Sequence, residues 1–276
     1  MLQNNEPEAL EVRLVLEAIN ARYGYDFRDY APETMRRRLY AVMTRTSVGN
    51  LGLLQHRILR EPEFFGSIVD DLTIQVSEMF RDPSFYRAFR EQVVPVLRTY
   101  PAIKIWHAGC ANGEEVYASA ILLMEEELLE RTQIYATDMS VRAIEQAREG
   151  IYAAASADLF ARNYVASGGK KNLRDYYAEA YGGIAVSDRL KRNIVFFQHD
   201  LVSDYALGEM QVVFCRNVLI YFNGTLRQRV LDVFADSVCR GGFLCLGHSE
   251  QVPASHAGIF GDFSRPERIY RCRGRA

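Results

Sequence analysis

No apolar run in this sequence is long enough to cross a bilayer, and its start, Met-Leu-Gln-Asn-Asn-Glu-Pro-Glu, lacks the positive region and apolar core of a secretory signal. The two absences lead us to expect a cytoplasmic protein without membrane insertion. An excess of one charge is missing as well: 33 Lys and Arg against 35 Asp and Glu leave a formal net charge of -2. That argues against a nucleic-acid binder working through a strong overall basic field. Cysteine is scarce and poorly spaced for a metal. Cys110, Cys215, Cys239, Cys245 and Cys272 are odd in number and include no Cys-x-x-Cys pair, so reduced structural thiols and no metal site are expected. Internal repeats and low-complexity tracts are also lacking.

What is present is the composition of an ordinary globular chain. With 49% hydrophobic and 25% charged residues over 276 positions, there is enough for one large domain or two smaller ones. Up to about residue 98 the apolar spacing is helical: Leu10, Leu14, Leu16 and Ile19, then Met35, Leu39 and Val42, then Leu51, Leu54 and Ile58. Asn50 and Pro62 punctuate these runs. Asp82 followed by Pro83 reads as an N-cap and first helical residue, so a further helix should begin there and end before Pro101. Between Thr34 and Arg60 stand Arg36, Arg37, Arg38, Arg45, Arg57 and Arg60 with no acidic residue, either a solvated helix face or a docking surface for an acidic partner.

After Pro101 short apolar strands alternate with helices. Strands are expected at Ile103 to Ala108, Gln133 to Thr137, Ile194 to Gln198, Val212 to Cys215 and Phe243 to Gly247. Helices are expected at about Glu114 to Leu129, Ser140 to Arg148 and Leu226 to Val238. Such alternation argues an α/β fold with a doubly wound, mainly parallel sheet. The stretch from about Ile151 to Asn193 is longer than one crossover needs and reads as helix plus a small insertion, with Gly183 to Val186 as an edge strand.

"WHAGCANGEE", residues 106 to 115, sits where the first strand of such a sheet feeds its helix, the usual ligand end. A dinucleotide would need Gly-x-Gly-x-x-Gly there, but the turn reads Gly-x-x-x-Gly followed by Glu114 and Glu115. Two carboxylates repel phosphates by several kcal/mol when poorly solvated. S-adenosylmethionine inverts the requirement, since it places a sulfonium and an ammonium near this turn. The competing reading is that the glutamates merely favour a helix dipole. Asp138, about 25 residues past Gly113 at the end of "QIYATD", stands where Rossmann-like folds keep an acid for ribose hydroxyls, or else caps the helix beginning near Ser140.

The segments "SEMFRDPSFYRAF", "WHAGCANGEEVYASAI", "IYATDMS", "FFQHDL", "VFCRNVLIYF" and "GFLCLGHSE" resemble, in order and spacing, the successive motifs of the CheR-type chemoreceptor glutamate methyltransferases, over nearly the whole chain. The resemblance implies an all-α N-terminal domain with linker (1–82) and a Rossmann-like class I methyltransferase domain (83–276) with an insertion at about 155–193. The implied activity is S-adenosylmethionine-dependent methylation of glutamate side chains on a chemoreceptor or receptor-like helical bundle, docked on the basic N-terminal face, with S-adenosylhomocysteine as product. Carried over motif by motif, Gln75, Ser77 and Arg81 reach the methionine end or the reaction centre, and Gly109 and Glu115, with Glu114 second, bind in the glycine turn. Asp138 takes the ribose, Asp200 and Leu201 lie against the adenine, Arg216 and Asn217 line the pocket, and Tyr221 approaches the reacting methyl with Arg81. Asp200 stands where Asn is common and offers acceptors only. A non-catalytic scaffold on the same fold is the alternative. His107, His199 and His248 are expected to pack or hydrogen-bond rather than catalyse.

Overall fold

The computed structural model describes residues 7–72, 77–180 and 182–274. They fall into two compact units, Met1–Ile74 with Tyr221–Arg229, and Gln75–Ile220 with Val230–Ala276.

Helices α1 (Pro7–Tyr23), α2 (Pro32–Thr46), α3 (Leu51–Arg60) and α4 (Pro62–Leu72) build the first unit. Proline opens α2 and α4, where its fixed φ suits the first turn and its missing N–H is not needed. The Asn50 side chain caps α3 by accepting from Leu53 N at 2.8 Å. Ile19, Met35, Leu39, Leu54, Ile58 and Ile68 are fully buried between the helices, each contributing about 1.5–3 kcal/mol. Leu10 and Leu14, expected on the buried face of α1, are instead 51% and 44% exposed. The buried stripe runs through Val12, Val15, Leu16 and Ile19, and positions 10 and 14 lie on the far side of that helical phase. Residues 221–229 add to this unit: Ala31 N donates to Tyr221 O at 2.8 Å and Asn223 N to Asp29 O at 2.8 Å.

The arginine-rich stretch is not a bare basic face. Arg36 pairs with Glu33 and Glu8, Arg45 with Asp71 and Arg57 with Glu61. Arg38 is half-buried and donates to Asp71 O at 2.7 Å. Only Arg37 and Arg60 of the six are exposed without an ion pair among the described residues.

In the second unit the chain after Asp82 forms α5 (Pro83–Ala88), a π-helical turn (Phe89–Val93) and α6 (Val94–Leu97), one rod with a bulge rather than the uniform helix expected. Pro95, which has no N–H to donate, lies just past the bulge, where the α-helical bonding has already been interrupted. The strands β1 (Ile103–Ala108), β2 (Thr132–Asp138), β6 (Ile194–Gln198), β7 (Met210–Cys215), β8 (Val238–Leu246), β9 (Phe260–Ser264) and β10 (Ile269–Cys272) form one sheet in the order β6-β2-β1-β7-β8-β10-β9. The pairs from β6 to β8 are parallel, and β10 runs antiparallel to both neighbours. Every residue of β7 is buried, as a mid-sheet parallel strand requires. Helices α7 (Glu114–Glu125), α8 (Val141–Glu149) and α11 (Gly224–Ser237) supply connections.

The insertion contains α9 (Ala157–Ala166), α10 (Asp188–Lys191) and an antiparallel sheet of β3 (Ile151–Ala153), β4 (Tyr177–Ala180) and β5 (Gly183–Val186), ordered β3-β5-β4. Gly183 to Val186 is thus the central strand, not an edge. Strand β5 pairs antiparallel with β4 on one side and with β3 on the other. Close approach explains the glycine: a Cβ at Gly183 would lie 2.4 Å from Tyr152 O.

Candidate active site

Strand order reverses around β1, with β2 on one side and β7 on the other, so the crevice beyond their carboxyl ends is where an open α/β sheet holds its ligand. Three segments meet there: the glycine turn after β1, Asp138 at the end of β2, and Arg216-Asn217 after β7.

The turn is tied to β2 by Gly109 N and Cys110 N, which both donate to Thr137 O at 2.9 and 2.8 Å. Gly109 (φ 75°) and Gly113 (φ 89°) are left-handed, which favours glycine on backbone grounds. Packing reinforces it, since a Cβ at Gly109 would lie 2.6 Å from Val218 Cγ2. Ala111, also left-handed, donates its N–H to Asp138 Oδ2 at 2.9 Å, while Asp138 Oδ1 accepts from Ser140 N at 3.0 Å. The cap of α8 is the Ser140 hydroxyl, which accepts from Ala143 N at 3.2 Å. Asp138 therefore joins the turn to β2 and is not the helix cap.

The two glutamates at the start of α7 have different surroundings. Glu115 Oε2 accepts from Arg216 Nη1 at 2.8 Å, and Glu115 Oε1 lies 3.4 Å from His107 Nδ1. Burial pushes the Glu115 carboxyl up, but Arg216 and His107 outweigh it and hold it below the ordinary value. Glu114 is also buried, and burial raises its carboxyl above the usual range, with a bond from Ser77 only partly offsetting this. Glu114 Oε2 has no hydrogen-bond partner among the described residues. The resemblance implies Glu115, with Glu114 second, as the binding residue of this turn; Glu115 bonds Arg216, and Glu114 Oε2 is the oxygen without a partner among the described residues.

Arg216, itself buried, closes an ion triad with Glu115 and Asp82. Its side chain is 1% exposed, Nη2 donates to Asp82 Oδ2 at 2.8 Å and Arg81 O at 3.3 Å, and the guanidinium lies 4.1 Å over the Phe85 ring. Asp82 takes the N-cap place expected of it, but its carboxylate makes no cap bond and goes to Arg216 instead. Phe80 and Asp82, on either side of Arg81, both have left-handed φ (56° and 55°), a conformation that costs a non-glycine residue about 1–2 kcal/mol. Arg216 and the burial of Phe80 against Tyr86 and Tyr164 hold this segment in place. The half-buried Arg81 side chain that it presents has no ion pair among the described residues.

Glu250 was missed by sequence reasoning. Buried at 4% exposure, it accepts from Gly247 N at 2.6 Å, Asn217 N at 2.9 Å and Ile220 N at 3.1 Å. It thereby holds the left-handed Asn217 (φ 61°) and the loop behind it. An acid closing the apolar run "FLCLGHSE" was the available signal. Asp200 Oδ1 accepts from Val202 N at 2.9 Å, an acceptor role that needs no amide, and Leu201 is buried beside it. His107 stacks on Phe214 at 4.4 Å with Nε2 2.8 Å from Ser119 Oγ, and His199 bonds Tyr205 O at 2.9 Å, so both pack and hydrogen-bond. Tyr221 clusters with the helical unit, and Gln75 lies outside the described residues.

Two family descriptions match the chain: CheR methyltransferase, all-alpha domain, over residues 10–73, and CheR methyltransferase, SAM binding domain, over residues 75–268. The chain belongs to the CheR methyltransferase family. Among its relatives, a Pseudomonas putida protein named as methyltransferase Cher3 is 45% identical over 95% of this chain and 96% of its own length. The chemotaxis protein methyltransferase of Vibrio parahaemolyticus is 31% identical over 85% of this chain and 86% of its own. Chemotaxis protein methyltransferase 1 of Vibrio cholerae is 29% identical over 88% and 89%. The fold is accordingly an all-α domain followed by a Rossmann-like methyltransferase domain, and the cofactor is S-adenosylmethionine. The crevice suits that cofactor: it offers an unpaired buried carboxylate oxygen on Glu114 in place of a phosphate cradle. Among the described residues no cluster fits a metal ion and no helix is long and apolar enough to cross a membrane.

Proposed function

We propose that this protein methylates glutamate side chains of a chemoreceptor or receptor-like helical bundle. The observation that carries the reading is the pairing of charges at the crevice: a buried Glu114 carboxylate whose Oε2 has no hydrogen-bond partner among the described residues and, on the linker, an Arg81 guanidinium without an ion pair among those residues. Bound S-adenosylmethionine supplies an electrophilic methyl on a sulfonium. Glu114 meets the cationic methionyl end, where its desolvated charge is offset. Asp138, which accepts from Ala111 N and Ser140 N at the end of β2, meets the ribose hydroxyls as an acceptor. The turn built on Asp200 and Leu201 receives the adenine, and Asn217 and Arg216 shape the adjoining wall.

Arg81 is the orienting group for a carboxylate, since a guanidinium makes planar bidentate contacts that a lysine does not. Glutamate, with an ordinary pKa of about 4.3, is already the nucleophile at neutral pH, so no general base is required. Alignment of nucleophile and methyl is the whole task, and positioning alone supplies up to ~7–11 kcal/mol in favourable cases. Gln75, Ser77 and Tyr221 remain the further residues we assign to the methionine end and the reacting methyl. Receptor docking falls to the exposed Arg37 and Arg60 rather than to the whole arginine stretch.

The test is transfer of labelled methyl to receptor fragments, followed by mild base. Release of labelled methanol identifies a glutamyl methyl ester. Base-stable label assigns a different acceptor, and cofactor binding without any transfer favours the scaffold reading.

A further inference from the structure

We propose that a second site, an open cleft at the antiparallel end of the sheet bounded by Arg240, Arg271 and Arg273, binds a phosphate-bearing small ligand. The cleft has a volume of about 510 Å³ and is lined also by Phe263, Gly241 and Gly261, a size and composition that suit a compact ligand. It is separate from the methyl-transfer crevice. Arg240 lies near the start of β8 and the crevice beyond its end, roughly 20 Å apart at the rise of an extended strand.

The lining carries three arginines against one acid. All three arginines are exposed and none has an ion pair among the described residues, although acids outnumber bases in the chain. The one acid in the lining, Asp262, leans towards Arg265 at 3.9 Å. Like charges gathered at one cleft repel, and an anion between them reverses the sign of that energy.

The side chains are also held rather than free. Arg271 lies over the rings of Phe243 and Phe263 at 5.6 and 5.9 Å. Arg273 passes so closely over Gly261 that a Cβ there would stand 2.4 Å from Nη2, and its backbone N donates to Ile259 O at 2.7 Å. The Arg240 stem runs past Gly274, whose Cβ position is 3.7 Å from Arg240 Cδ. Gly261 thus leaves room for Arg273, and donors already ordered lose less entropy on binding. A phosphate group concentrates about -1.5 to -2 charges and three acceptor oxygens on a few atoms. Guanidinium forks lining one cleft match it better than they match the single charges spaced along an acidic peptide.

The full-length protein is titrated calorimetrically with inorganic pyrophosphate, with ADP, and with octaglutamate, at an ionic strength of ~0.15 M so that loose surface attraction is screened. Saturable binding of pyrophosphate or ADP is expected, weakened about tenfold or more in Arg271→Ala and in Arg273→Ala, with S-adenosylhomocysteine binding unchanged. Gly261→Ala keeps every charge but displaces Arg273, and it should weaken binding as Arg273→Ala does. Absence of saturable binding, binding indifferent to Arg271→Ala and Arg273→Ala, or preference for octaglutamate over pyrophosphate would overturn the proposal.

Discussion

The helical unit and the methyltransferase unit use ion pairs in opposite ways. Arg36, Arg45 and Arg57 pair with carboxylates at the surface, in side chains from 37% to 50% exposed. There water competes for both partners and salt screens them. Arg216 makes bonds of similar length with its side chain 1% exposed, to carboxylates on two separate segments. A buried charge that loses a partner has no water to turn to, so the same chemistry becomes a fixed joint. The difference assigns work: the surface pairs neutralise a basic stretch, whereas the pairs made by the buried Arg216 fix the turn that carries Arg81 and bind Glu115 to the protein.

Arg216→Ala breaks that joint most severely, leaving the largely buried Glu115 with His107 as its remaining partner. A loss of about 3–5 kcal/mol is expected, read as a lowered midpoint in denaturant unfolding, together with reduced methyl transfer in whatever remains folded. Glu250→Ala comes next. It deprives Gly247, Asn217 and Ile220 of their acceptor, and we expect a loss of roughly 2–4 kcal/mol from stranded buried donors, checked by the same unfolding curve. The neighbouring glutamates then sharpen the contrast through pH. Glu115, held low, contributes stability above the ordinary carboxylate range that is lost as pH falls through its depressed pKa. Glu114, raised by burial, acts with the opposite sign: cofactor-free protein should lose stability as pH rises through its elevated pKa. Glu114→Gln should flatten that alkaline-side decline in thermal melts recorded across pH. Smallest of all, Arg36→Ala should leave the melting temperature unchanged within error.

Much of the frame could be read before the structure. The change from helical to alternating apolar pattern near Pro101 marks where the parallel sheet begins, and β1, β2, β6 and β7 lie at or near their expected places. Position along the chain reports which residues end a strand, so Asp138 and the glycine turn were legible. Pairing between distant segments was not. Nothing local tells Glu114 from Glu115, because the distinction is made by Arg216, about a hundred residues later, with Asp82 as its other partner. The role of Glu250 depends on backbone N–H groups around Asn217, and backbone groups leave no mark in sequence. Gly183 to Val186 looked like an edge because its partners include Ile151 to Ala153, from the far side of α9. Leu10 and Leu14 misled because the buried phase of α1 passes through Val12 and Val15 instead.

The most direct test is calorimetric titration of S-adenosylhomocysteine into wild type, Glu114→Gln and Glu115→Gln, each verified as folded by near-ultraviolet circular dichroism. Glu114→Gln should weaken binding by about tenfold or more, the scale of one charged contact, while folded Glu115→Gln, though less stable, should bind within a few-fold of wild type. Wild-type affinity in Glu114→Gln alongside lost binding in folded Glu115→Gln would contradict the account and return the ligand-facing role to Glu115.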